Sequence, residues 1–166
     1  MGSDAAAMVG STEEILGRLA AAMFAGFVLG INRDLRGKPA GVRTHGLVAI
    51  GAALVTVVAM ELAYAAATFN PDAVSRVVQG IITGIGFIGG GVILKLPQAR
   101  AVQGLTTAAS VWVTACLAVA FGAGLWRSAV IGLVLTMAAL LMGGAIEDLA
   151  ARLFKGRRRP PGWEGE

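Results

Sequence analysis

The residues able to do chemistry are few in this chain, and most stand at the ends of apolar runs. The stretch GKPAGVRTHG, Gly37 to Gly46, gathers Lys38, Arg43 and His45, the sole histidine, around a Pro-Ala-Gly turn. One histidine cannot build a histidine-based metal cluster or an acyl-transfer triad. Asp34 and Asp148 lie near cations, as the acids of charge-balanced helix ends do. No catalytic constellation emerges, so the expected protein is not an enzyme and takes neither a metal nor a cofactor. What the cations can do is bind an anion. Thr44, and Thr106 or Thr107, stand where helices start, and a helix start offers free N–H groups and partial positive charge. Two readings stay open for Lys38, Arg43 and His45: they enforce topology and touch lipid phosphate, or they hold a specific anionic ligand or a partner protein.

Three further features lie inside the apolar runs. Glu61 is the only acid well within one, and an intramembrane acid is a functional candidate by default. It falls about 25 Å up its helix from the basic end, where it either carries coupling or reaches interfacial water. Thr107, Ser110 and Thr114 recur at steps of three and four and share a helix face. They bond their own backbone or a neighbouring helix, or with Thr83 they line a hydrophilic track. The segment GIITGIGFIGGGVIL carries Gly80/Gly84 and Gly86/Gly90 at the four-residue spacing that grooves a helix face for packing. Alternatively, the backbone breaks at Gly89-Gly90-Gly91 and exposes carbonyls to an ion. The string GIGFIG resembles a dinucleotide fingerprint, but that needs a soluble strand before it, and the flanks here are membrane-length apolar runs.

Composition explains why the polar residues are so sparse. Of 166 residues, 56% are hydrophobic and 14% charged, with a mean hydropathy of +0.74; a soluble domain carries about 25% charged residues. Five runs of about twenty residues, each long enough to cross a bilayer, extend from about Ile15 to Ile31, Thr44 to Ala67, Val74 to Leu94, Leu105 to Leu125 and Ser128 to Leu149. The expected fold is all-α: a polytopic bundle of about five transmembrane helices with glycine-rich packing. It divides into an extracytoplasmic segment (1–14), a transmembrane domain (15–150) and a basic cytoplasmic tail (151–166). The acids in MGSDAAAMVGSTEE argue against a cleaved signal. Cys116 is the single cysteine and cannot form an intrachain disulfide. Tyr64 and Trp126 suit an interfacial aromatic belt.

Lysines and arginines set the orientation. The first and third connections and the C-terminal tract hold eleven of them, against three on the alternate side. The positive-inside rule then puts the N-terminus outside and the C-terminus, with GKPAGVRTHG, in the cytoplasm. The net charge of +4 belongs to this pattern; with few aromatics to stack on bases, it points to lipid headgroups rather than nucleic acid. An internal repeat is also visible. Aligned from Gly41 and Gly104, fourteen residues share five identities (Gly41/Gly104, Thr44/Thr107, Val48/Val111, Ala52/Ala115, Leu54/Leu117). Gly26-Phe27-Val28 likewise resembles Gly86-Phe87-Ile88, so the first two and next two helices form a possible parallel repeat.

Taken together, GKPAGVRTHGLVAIGAAL, GIGFIGGGVIL and VQGLTTAASVW resemble the bacterial MgtC/SapB membrane family, over roughly Arg18 to Leu140. The resemblance implies a compact bundle of about five membrane helices, in the short form without a soluble C-terminal domain. By position it singles out Arg33, Ala40 to Thr44, and Gly104 to Ala109. It also marks two departures: Asn32 where the family usually has Glu, and Gly80 where it usually has Gln, with Gln79 one residue earlier. Asp34 is the candidate substitute for the missing acid. Functionally it implies a role in adaptation to magnesium limitation, as a regulator binding other membrane proteins such as the ATP synthase or transport systems, and a likeness to members called magnesium transporters. The expected protein is therefore a membrane-embedded regulator, a homo-oligomer packed through its glycine faces. The alternative is a small cation transporter or channel using the third and fourth helices with Glu61.

Overall fold

Each helix begins where a local group satisfies its first amides. A computed structural model describes residues 10–65, 69–93 and 104–154. Helix α1 (Thr12–Asp34) starts behind Ser11, whose hydroxyl accepts from the Glu14 amide, with Glu13 and Glu14 against the positive end of the dipole. Helix α2 (Val42–Ala65) starts two residues before Thr44, because the Asp34 carboxylate accepts from the Val42 amide at 3.0 Å. Helix α3 (Pro71–Val92) is capped by the Asn70 side chain, with Pro71 in the first turn where its missing N–H costs nothing. Helix α4 (Leu105–Gly122) follows Gly104, whose φ of 92° is glycine territory. Helix α5 (Trp126–Phe154) comes last.

All five are long and apolar enough to cross a membrane, and no strand occurs among the described residues. Two expectations about helix geometry are corrected. Neither Thr44 nor Thr106 or Thr107 caps a helix: Asp34 does so for α2, and Gly104 precedes α4. The α3 helix runs unbroken through Gly89, Gly90 and Gly91 and ends at Val92, where the Ile93 amide donates to the Gly90 carbonyl, so the backbone does not break at the glycines. The segments 1–9, 66–68, 94–103 and 155–166, which include Lys95, Arg100 and most of the basic tail, lie outside the described residues, as does the side chain of Asp148.

The chain forms two compact units, up to Leu133 and from Val134 onward. In the first, α1, α2 and α4 pack on one another, and α3 lies against α2 and α4. Its core is built of small side chains, among them Ala22, Ala25, Ala49, Ala53, Ala115, Ala118 and Ala129, closed by Val111 and Phe121. Small residues allow backbones to approach, and in lipid that contact replaces the hydrophobic drive available in water. The second unit is the remainder of α5, on which several apolar side chains, among them Leu135, Leu141 and Ile146, are exposed.

The glycines that permit close approach are not those of α3. A Cβ on Gly26 would lie 2.6 Å from the His45 carbonyl oxygen, on Gly30 2.5 Å from the Val42 Cα, and on Gly122 2.7 Å from the Ala53 carbonyl oxygen. Around Gly80, Gly84, Gly86 and Gly90 nothing lies within 4 Å, so their face is open within the chain. On α3 it is Gly89 that meets a helix: a Cβ there would lie 3.6 Å from Ala108 Cβ. The shift that aligns Gly41 with Gly104 also pairs Gly26 with Gly89 and His45 with Ala108. The repeat therefore matches Gly26 with Gly89 rather than with Gly86.

Gly30→Ala should destabilise the protein by about 1–3 kcal/mol, because backbone rather than a flexible side chain must move. Gly84→Ala should be neutral or gain about 0.5–1 kcal/mol from helix propensity. Denaturation of the purified monomer in detergent measures both.

Candidate functional site

The last turn of α1 turns polar side chains inward. Ile31 and Asp34 are exposed, while Asn32 and Arg33 are buried, Arg33 to 3% exposure. The chain then reverses through a tight turn, in which the Arg33 carbonyl accepts from the Arg36 and Lys38 amides. Gly37 and Ala40 both take positive φ, 59° and 57°. For alanine this conformation costs energy, and it directs two backbone oxygens inward. Pro39 O accepts from Arg33 Nη2 at 3.4 Å, and Gly41 O lies 3.1 Å from His45 Nδ1.

His45 is fully buried one turn into α2. Its Nε2 lies 3.2 Å from Ser110 Oγ on α4, and Ser110 Oγ lies 2.9 Å from Thr107 O. Gly41 O can only accept, so Nδ1 carries a proton. Ser110 then has two consistent settings. With a neutral ring its hydroxyl donates to Nε2; with an imidazolium it accepts from Nε2 and donates to Thr107 O. The hydroxyl of Thr107 accepts from Arg33 Nη2. One cluster thus joins Arg33, His45, Thr107 and Ser110 across three helices.

The cluster is rich in donors and poor in negative charge. Arg33 Nε is buried without a partner, and no carboxylate among the described residues lies within ion-pair distance of Arg33. Asp34, the candidate substitute for the acid absent at Asn32, caps α2 instead. Lys38, Arg43 and Thr106 are exposed and Thr44 is half-buried, so the structure separates an outer basic surface from the buried group. His45 belongs to the interior, not to the loop. Of the intramembrane candidates, Thr114 donates to Ser110 O at 2.8 Å, while Glu61 and Thr83 are exposed and join no cluster. The open glycines Gly86 and Gly90 line a shallow apolar groove with Ile85, Gly89 and Trp112.

Two buried groups were not singled out from the sequence. Thr56 on α2 is fully buried and donates to Ala52 O at 2.8 Å. Arg18, 8% exposed, sits toward the other end of α1, where it pairs with Glu14 at 2.5 Å and donates to Gly122 O at 3.4 Å. A lone cation inside an apolar run, one helical turn after an acid, was the available signal for Arg18.

Five helices, each long and apolar enough to cross a bilayer, define a polytopic α-helical membrane protein. The chain belongs to the MgtC family, which it matches over residues 19–149. It is similar to Protein SrpB of Synechococcus elongatus, at 43% identity over 74% of this chain and 71% of that protein. It is also similar to the Putative magnesium transporter YhiD of Escherichia coli K12, at 39% identity over 78% and 60%. Against Protein MgtC of Salmonella typhimurium LT2 it is 34% identical over 89% and 58%. The chain therefore spans less than two thirds of the last two. No solved structure matches it.

His45→Ala removes both ring contacts and leaves a cavity, so it should cost about 2–4 kcal/mol. Arg43→Ala should cost less than about 0.5 kcal/mol, as exposed positions do. Thermal unfolding of both variants in detergent separates the buried role from the surface one.

Proposed function

We propose that the protein is a regulator or interaction partner of other membrane proteins in magnesium-linked physiology, including phosphate and ATP homeostasis. Its docking face is the exposed basic turn between α1 and α2. The observation that carries this reading is how the intramembrane hydroxyls are used. Thr56 and Thr114 each bond a carbonyl of their own helix, and Ser110 is engaged by Thr107 and His45. Glu61 and Thr83, the other parts of a conduit, are exposed and apart from them. A hydrated path would need such groups to converge on one lumen. The magnesium link is supported by the names of the relatives MgtC and YhiD.

On this reading the positive-inside rule places Arg36, Lys38 and Arg43 at the cytoplasmic surface of a bacterial inner membrane, within reach of a partner's acidic segment. The N-terminus lies outside, and copies associate through the open glycine face of α3. The protein performs no catalysis.

Liposomes containing only this protein should show no magnesium flux above protein-free vesicles. A photo-crosslinker at position 38 or 43 should trap a partner in native membranes. Flux that Glu61→Gln abolishes would instead establish the transporter.

A further inference from the structure

Two positive elements meet at the start of α4 with no described negative charge between them. The first is Arg33: 3% exposed, bonded through Nη2 to Thr107 and the Pro39 carbonyl, its Nε buried and unpartnered, and without a carboxylate among the described residues within ion-pair distance. The second is the amide end of α4 itself. Gly104 has no side chain to cap it, and no described side chain accepts from the amides of Leu105, Thr106 or Thr107. The Arg33–Thr107 bond sets the guanidinium on that first turn. A cation removed from water without an opposite charge costs several kcal/mol, and a helix N-terminus beside it adds about half a charge of the same sign. The neighbouring start of α2 shows the ordinary solution, since Asp34 supplies its anion from within the chain.

We infer that Arg33 and the first turn of α4 together hold a phosphate group, either orthophosphate or the phosphodiester of a lipid headgroup. The donors come from two elements, the guanidinium of α1 and the first amides of α4. That suits the tetrahedral oxygens of a phosphate, which both guanidinium groups and helix N-termini recognise. Arg33 is one residue from the end of α1, at the edge of the apolar spans where headgroup phosphates lie. Leu105 and Thr106 are exposed, so the turn can be approached from outside while Arg33 and Thr107 lie beneath. The site is independent of the docking reading: a failed crosslink at Lys38 or Arg43 leaves it standing.

The test is thermal unfolding of the full chain in dodecyl maltoside without phosphate, to which orthophosphate or phosphatidylglycerol is added, against chloride at equal ionic strength. Wild type should gain about 5 °C or more at saturation. Thr106→Asp, at an exposed position, places a carboxylate in the first turn of α4. It should unfold at a higher temperature than wild type without phosphate and gain less than about 1 °C from it. Arg33→Gln should also lose the response, and without phosphate it should be no less stable than wild type. A response to orthophosphate alone assigns a soluble ligand, and one to phosphatidylglycerol alone assigns the headgroup. Equal responses from wild type and Thr106→Asp, a chloride effect as large, or no response in wild type would overturn the site. So would binding only of acidic peptides.

Discussion

Everything at the polar end of the bundle depends on how closely α1 lies on α2. Gly26 and Gly30 set that distance, because their missing side chains leave room for the backbone of His45 and for Gly41-Val42. With the two helices in backbone contact, the imidazole of His45 reaches Ser110 on α4. Arg33, a short step beyond Gly30, reaches Thr107 in the same way. A bilayer offers no water to satisfy a misplaced donor, so the glycine contact and the polar contacts must be compatible.

The turn between α1 and α2 works under the same constraint. Its Ala40 takes a left-handed backbone conformation, and its carbonyls serve the buried arginine and histidine rather than solvent. Residues close in sequence thus divide into two populations. Lys38 and Arg43 face outward, while Pro39, Gly41 and His45 contribute to the interior. The same ten residues supply a charged loop and part of a buried hydrogen-bond network.

Much of this was legible from the sequence, because span length, hydropathy and the motif set depend on local composition. Five helices appear where five apolar runs stand, and the family follows from three ordered motifs. The internal arrangement was less legible, because it depends on which helix face meets which neighbour. Gly80/Gly84 and Gly26/Gly30 share the same spacing, yet only the second pair touches backbone. His45 reads as a loop cation by its neighbours and is a core residue by its rotation on α2. Thr107, Ser110 and Thr114 were placed on one face correctly, since a helical step fixes that alone.

Arg18 and Arg33 lie toward opposite ends of α1, and their burial has a consequence for the surrounding lipid. Fifteen residues at 1.5 Å per residue separate them by about 22 Å, less than a hydrocarbon core of about 30 Å. Both guanidinium groups are held inward, Arg18 by Glu14 and Gly122 and Arg33 by Thr107 and Pro39. The hydrocarbon therefore meets the outer face of α1 rather than these two cations, and a bilayer of full thickness can surround them without a local defect to hydrate them.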